Sequence, residues 1–108
     1  MRQLGADFEL LDEEEQTPLF YAVKREETGV VRFLVEEVGV NINHMEYQKR
    51  TPIYLAAFEG NLDMVKYLHQ HGGDPTLESK LARTPLSKAC YLDNVEVVKF
   101  LISLGVNL

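Results

Sequence analysis

The sequence predicts an all-α chain of repeated short helix pairs that persist by stacking on one another, and three markers at a common spacing predict it. Thr-Pro stands at 17–18, 51–52 and 84–85, in steps of 34 and 33 residues. Apolar pairs recur with the same steps at Val30-Val31, Met64-Val65 and Val97-Val98. Glycine recurs at Gly5, Gly39, Gly72 and Gly105, separated by 34, 33 and 33. Three independent markers in agreement make chance a poor explanation. The one-residue excess can be placed, because Val31 to Gly39 is eight positions whereas Val65 to Gly72 and Val98 to Gly105 are seven, so the extra residue falls within 35–38.

Each unit reads as two helices in order. Thr17, Thr51 and Thr84 suit an N-cap, whose side-chain oxygen accepts from an orphan backbone N–H, and the proline that follows sits where a missing N–H costs nothing. First helices are expected over 17–26, 51–59 and 84–92. Second helices follow over 28–37, 61–70 and 94–103, with apolar residues at helical spacing such as Val30, Val31, Phe33 and Leu34. Gly39, Gly72 and Gly105 end them by supplying a left-handed residue. Helices of about ten residues are marginal alone in water, so stability must come from neighbours. The connections, 39–50 and 73–83, are polar and turn-rich. The units are bounded at 13–45, 46–78 and 79–108, after a remnant of a preceding unit at 1–12.

At 108 residues and 12.3 kDa, with 45% hydrophobic and 26% charged residues, the chain has room for one small domain or a few repeats and should fold. No apolar run approaches the roughly 18 residues needed to span a bilayer, and no charged-then-apolar segment with a small-residue cleavage site opens the chain, so membrane insertion and secretion are not expected. The lone cysteine, Cys90, cannot form an internal disulfide, which points to a reducing compartment, cytoplasmic or nuclear. Residues 1–38 carry a net charge of −6 and residues 39–108 a net charge of zero. The densest acidic piece, Asp12-Glu13-Glu14-Glu15, reads as a solvated loop, with electrostatic steering of a basic partner as the functional alternative. No Lys/Arg cluster exists to neutralise phosphates, so nucleic acid is not expected as a partner.

Thr17-Pro-Leu-Phe-Tyr-Ala, Thr51-Pro-Ile-Tyr-Leu-Ala-Ala and Thr84-Pro-Leu-Ser-Lys-Ala-Cys, each followed by a Val-Val-type helix and a glycine turn, resemble ankyrin repeats over essentially the whole chain. The resemblance implies antiparallel helix pairs in an L-shape, with projecting hairpin loops, stacked into a curved solenoid. There are departures from the family pattern. The histidine that usually bonds the threonine is Phe20, Tyr54 or Ser87; Phe20 has no polar atom to reproduce the contact. The glycine two residues before each threonine is Glu15, Lys49 or Ala82, which predicts irregular or mobile turns. Gly73 stands where the family has alanine. Lys88 stands where it often has leucine, which predicts a more solvated last repeat. Leu4-Gly5-Ala6-Asp7 reads as the close of an earlier repeat, and no polar capping repeat is visible at either end. This is the pattern of a piece of a longer array, with a naturally short protein as the alternative. Uncapped ends would leave Tyr21, Val30 and Phe33 partly bare and favour self-association.

The resemblance further implies protein or peptide binding on the concave surface of hairpin tips and outer first helices. By position that surface is Glu13, Glu14, Gln16, Lys24 and Arg25, then Tyr47, Gln48, Arg50, Phe58 and Glu59, then Lys80, Leu81, Arg83, Tyr91 and Leu92. An apolar strip of Tyr47, Phe58, Leu81, Tyr91 and Leu92 beside Arg50 and Arg83 has the residue types of binding hot spots, unless Phe58 and Tyr91 fold over the next helix as core. Chemistry finds little support. Cys90 falls on a small-residue position and reads as a buried hydrophobe. His69 and His71 are two apart and do not share a helix face as a metal pair would, His44 has only Glu46 nearby, and Ser87 and Lys88 point apart. No catalytic residue, metal site or cofactor is expected. The rivals to a binding module are a regulatory or targeting segment of a larger enzyme or scaffold, and a spacer between flanking repeats.

Overall fold

The computed structural model describes residues 10–106. Leu4-Gly5-Ala6-Asp7 and the closing Asn107-Leu108 lie outside the described residues. The Thr-Pro pairs open helices α1 (Pro18–Lys24), α3 (Pro52–Phe58) and α5 (Pro85–Tyr91), each after a threonine in extended backbone. Thr51 Oγ1 accepts the Tyr54 N–H, and Thr84 and Ser87 cap one another reciprocally, Ser87 Oγ accepting the Thr84 N–H at 2.9 Å. Thr17 departs from the expected side-chain cap: the Phe20 N–H goes to its main-chain carbonyl instead, at 3.0 Å.

The second helices are α2 (Thr28–Arg32), continued by a π-helical segment Phe33–Val38, then α4 (Leu62–Gln70) and α6 (Val95–Ser103). The π segment holds the extra residue that counting places in 35–38. Leu34, Leu68 and Leu101 are equivalent and fully buried. Their carbonyls receive the N–H of the residue after the closing glycine: Val40 to Leu34 at 3.2 Å, Gly73 to Leu68 at 2.7 Å, and Val106 to Leu101 at 3.3 Å. The first unit reaches that closure one residue late, and the backbone widens to i→i+5 bonding, with the Gly39 N–H on the Leu34 carbonyl at 3.0 Å, instead of shifting the glycine. Deleting Glu37, an exposed residue of this segment, is expected to convert it to α-helix and leave the melting temperature within a few degrees. Loss of Lys66 from α4, which carries no extra residue, rotates Leu68 off the core and should cost several kcal/mol. Thermal melts of the two deletion variants compare these outcomes.

Helix α3 stacks between α1 and α5, and each first helix packs on the second helix of its own unit. Small residues permit the close approach: Ala22, Ala56, Ala57 and Ala89 are buried at these seams between Leu19, Ile53, Leu86 and the second-helix residues Val31, Val65 and Val97. Fully burying each such aliphatic side chain contributes about 1.5–3 kcal/mol, which α-helices of five to nine residues cannot supply singly. Where no described element packs over a unit, the same positions open to solvent. Tyr21 is 45% exposed although its equivalent Leu55 is 7%, and Val30 is exposed although Met64 and Val97 are buried. Cys90 is likewise exposed, contrary to the buried hydrophobe expected, because its equivalent Ala57 is covered by the following unit whereas no described element lies over Cys90.

The turns before the threonines are regular, which overturns the expectation of irregularity. Glu15, Lys49 and Ala82 all take φ near +60° (64°, 62° and 58°), and each turn closes with the same pair of bonds. These are Asp12 N–H to the Gln16 carbonyl, Glu46 N–H to Arg50 and Ser79 N–H to Arg83, at 3.1, 3.0 and 2.8 Å, with the return bonds from Glu15, Lys49 and Ala82. A left-handed residue with a side chain costs about 1–2 kcal/mol relative to glycine, so the surrounding bonds impose the conformation.

Candidate functional site

The three hairpins are tied side by side. The Glu14 carbonyl accepts the Tyr47 N–H at 3.0 Å, and the Gln48 carbonyl accepts the Lys80 N–H at 2.9 Å. This brings the tips of successive units into one row, with the outer ends of α1, α3 and α5 beside it. The loops beneath are joined as well: Asn43 bonds the Gly72 carbonyl and the Asp74 N–H at 3.0 and 2.8 Å, and the His44 Nε2–H donates to the Glu15 carbonyl at 2.9 Å. His44 also meets the Phe20 ring edge-on. It is a fastening residue.

An inward carboxylate shapes two of the tips, and sequence reasoning missed it. Glu46 is 3% exposed; its Oε1 accepts the Gln48 and Arg50 N–H groups at 2.7 and 2.9 Å, and its Oε2 takes the Arg50 guanidinium at 2.8 and 3.1 Å. Burial pushes the Glu46 carboxyl up, but the Arg50 side chain and the backbone N–H groups outweigh it and hold the group below the usual glutamate value. Asp12 does the same in the first tip, accepting from the Glu14 and Gln16 N–H groups and from the Tyr21 hydroxyl, the bond from Tyr21 doing most to lower its pKa. Asp12 is therefore a turn-former and only the rest of the 12–15 segment is exposed. The available signal was position: Asp12, Glu46 and Ser79 each lie five residues before a helix-opening threonine.

Between the second and third tips lies a groove of about 360 Å³, lined by Tyr47, Gln48, Arg50, Tyr54, Phe58, Ser79, Lys80, Leu81, Arg83 and Lys88. Seven of these were named from sequence; Tyr54, Ser79 and Lys88 were not. Phe58 is 41% and Tyr91 77% exposed, so neither ring is absorbed into the core. Tyr91 lines an adjoining shallow hollow with Leu81 and Arg83. The Lys88 ammonium joins the two, 5.2 Å from the centre of the Phe58 ring and 5.4 Å from that of Tyr91.

The remaining expected residues fall elsewhere. Glu13 and Glu14 are exposed at the first tip. Gln16 is buried at 2%, its amide engaged by Glu14 and Lys24 at 2.9 and 3.2 Å, which removes it from any contact surface. Lys24 sits over the Tyr21 ring, Arg25 pairs with Glu27, and Leu92 lies outside both hollows. Glu59 turns toward the first unit, where burial and then Glu26 push its carboxyl up while Lys24 opposes them; its Oε1 is buried without a hydrogen-bond partner among the described residues. Among the described residues no cluster of His, Cys, Asp or Glu is placed to hold a metal ion, and no helix is long and apolar enough to cross a membrane.

A family profile described as ankyrin repeats in three copies matches residues 1–79 and 48–108, which together cover the chain. The chain belongs to the ankyrin-repeat family. Relatives include ankyrin repeat and SAM domain-containing protein 6 of Mus musculus, 33% identical over 87% of this chain and 11% of that protein. Serine/threonine-protein kinase VIK of Arabidopsis thaliana is 29% identical over 81% of the chain and 20% of its own length. Alpha-latrocrustotoxin-Lt1a of Latrodectus tredecimguttatus is 33% identical over 87% of the chain and 7% of its own length. The chain thus spans a fifth or less of the length of these relatives. Ankyrin repeats are protein-interaction modules, in general without catalysis of their own, and the relatives carry them within much larger proteins. Such different hosts share the scaffold without sharing a function.

Proposed function

We propose that this ankyrin-repeat chain binds a protein or extended peptide on its hairpin side, through the groove between the second and third units and the hollow beside it. The observation that carries the reading is that Tyr47, Phe58, Leu81 and Tyr91 stay exposed there, beside guanidinium and ammonium groups, on a row of tips that backbone bonds hold in place. Aromatic rings and arginine on a fixed frame lose little entropy on binding, which is why they dominate interface energetics. Replacing Tyr47, Phe58 and Tyr91 together with alanine is expected to weaken partner capture at least about tenfold while leaving helicity and melting nearly unchanged, since the rings are exposed. Partners drawn from native cells by the wild-type chain and retained by the triple variant would refute the reading.

A second reading, a regulatory or targeting segment of a larger enzyme or scaffold, draws support from the kinase relative and from the small share of each relative that the chain matches. The full-length reading frame decides it: a flanking catalytic domain supports it and the lack of one removes it. Under a spacer role the triple variant would have no binding to lose.

A further inference from the structure

The groove carries the opposite charge to its chain. The whole sequence has a net charge of −6, yet no carboxylate lines this groove and four cations do: Arg50, Lys80, Arg83 and Lys88. Glu46 neutralises Arg50 from beneath at 2.8 Å. Among the described residues, Lys80, Arg83 and Lys88 form no ion pair with a carboxylate. Glu59, the acid that follows α3, interacts with Glu26 and Lys24 of the first unit.

We propose that this groove takes an acidic, extended peptide segment that places one apolar or aromatic side chain between Tyr47, Phe58 and Leu81 and sets flanking carboxylates against Lys80, Arg83 and Lys88. The inference rests on the protein-binding reading and specifies its partner. Charge complementarity fixes the sign of that partner, because like charges in such a site repel a wrong partner and opposite ones speed encounter. The position of Lys88 sharpens it. An ammonium held over two ring faces is already ordered, so it engages a carboxylate with less entropy to lose than a free lysine. About six residues of extended chain, ~20 Å, suffice to cross two neighbouring tips. A nucleic acid fits less well: three free cations neutralise few phosphates, and the acidic first tip, with Glu13 and Glu14 exposed, repels a longer polyanion.

The test is a phage-displayed random-peptide library panned on the wild-type chain at low ionic strength. Recovered clones are re-examined on Lys80→Glu/Arg83→Glu, which alters two exposed side chains, and on Tyr47→Ala/Phe58→Ala. Circular dichroism verifies that each variant folds, and Lys80→Gln/Arg83→Gln replaces the charge-reversed pair if it does not. The expected clones carry Asp or Glu around a Phe, Tyr or Leu. Their fluorescein-labelled synthetic peptides should bind about tenfold or more weakly to the charge-reversed pair, and likewise when Gln replaces each acid, with much of the affinity lost in about 0.5 M salt. Clones without acidic bias that still depend on Tyr47 and Phe58 overturn the acidic assignment and leave the protein-binding reading standing. Clones indifferent to both pairs overturn the two together. An empty selection overturns the acidic assignment and leaves the cell pull-down to judge the broader reading. An oligothymidylate that displaces the peptide as well as unlabelled peptide does replaces the peptide with a nucleic acid. Association of the chain with itself that the charge reversal abolishes gives the groove to the acidic tip of a second copy and likewise overturns the proposal.

Discussion

Replacing Glu46 with alanine is expected to lower the unfolding free energy by about 2–4 kcal/mol, although the residue lies in a polar loop. The carboxylate is buried and accepts four bonds, two from backbone N–H groups and two from Arg50. Its removal leaves those donors facing a void and the Arg50 charge partly buried without its counter-ion. Replacing Glu13, exposed at the neighbouring tip, should stay within about 0.5 kcal/mol. Urea titrations of both variants measure the difference, and equal effects would mean that the inward carboxylate does not organise the turn. The same residue sets a pH dependence. Its native pKa lies below the unfolded value, near 4.3 for glutamate, so its contribution is complete above that value and is lost as the pH falls from there toward the native one. Wild-type stability should therefore fall more steeply below about pH 4.5 than that of Glu46→Gln, which has no carboxylate to protonate.

Repetition made the architecture readable before any coordinates. Thr51 and Pro52 state where a helix begins, Leu68 and Gly72 where the next one closes, and the same statements thirty-odd residues away leave few arrangements open. The site was readable to the extent that it follows this register: Tyr47 and Lys80, or Phe58 and Tyr91, occupy equivalent places and arrive on the same row of tips. What escaped depended on neighbours in space. Gln16 looks like surface by position, yet Glu14 and Lys24 close over it. Cys90 looks like core by its type and place, yet burial at that place is conferred by the next unit and not by its own. Glu46 looks like solvated charge, yet the turn wraps its own N–H groups around the carboxylate. Counting located the extra residue in 35–38 but could not say whether a loop or the helix would absorb it. That choice was made by Leu34, whose buried side chain and carbonyl anchor both sides of the insertion.

A leucine at position 57 and a leucine at position 90 are expected to have unequal consequences, although both follow their threonine by six residues. Ala57 is fully buried against α5, and its carbonyl accepts the Asn94 Nδ2–H at 2.9 Å, so the seam between the second and third units closes directly over it. Three added carbons cannot enter without lifting α5 and parting that bond, and overpacking together with the lost hydrogen bond should cost about 2–4 kcal/mol. Cys90 occupies the same place on α5 with no described element above it, and Cys90→Leu should stay within about 0.5 kcal/mol. The contrast separates two accounts of where stability resides. If each helix pair were self-sufficient, the substitutions would act alike, because the pairs are nearly the same locally. If stability arises in the seams, a change beneath a neighbour is felt by two units and a change at an open face by none. Thermal melts of Ala57→Leu and Cys90→Leu in parallel read the difference, and matching losses would locate the stability within the individual pair.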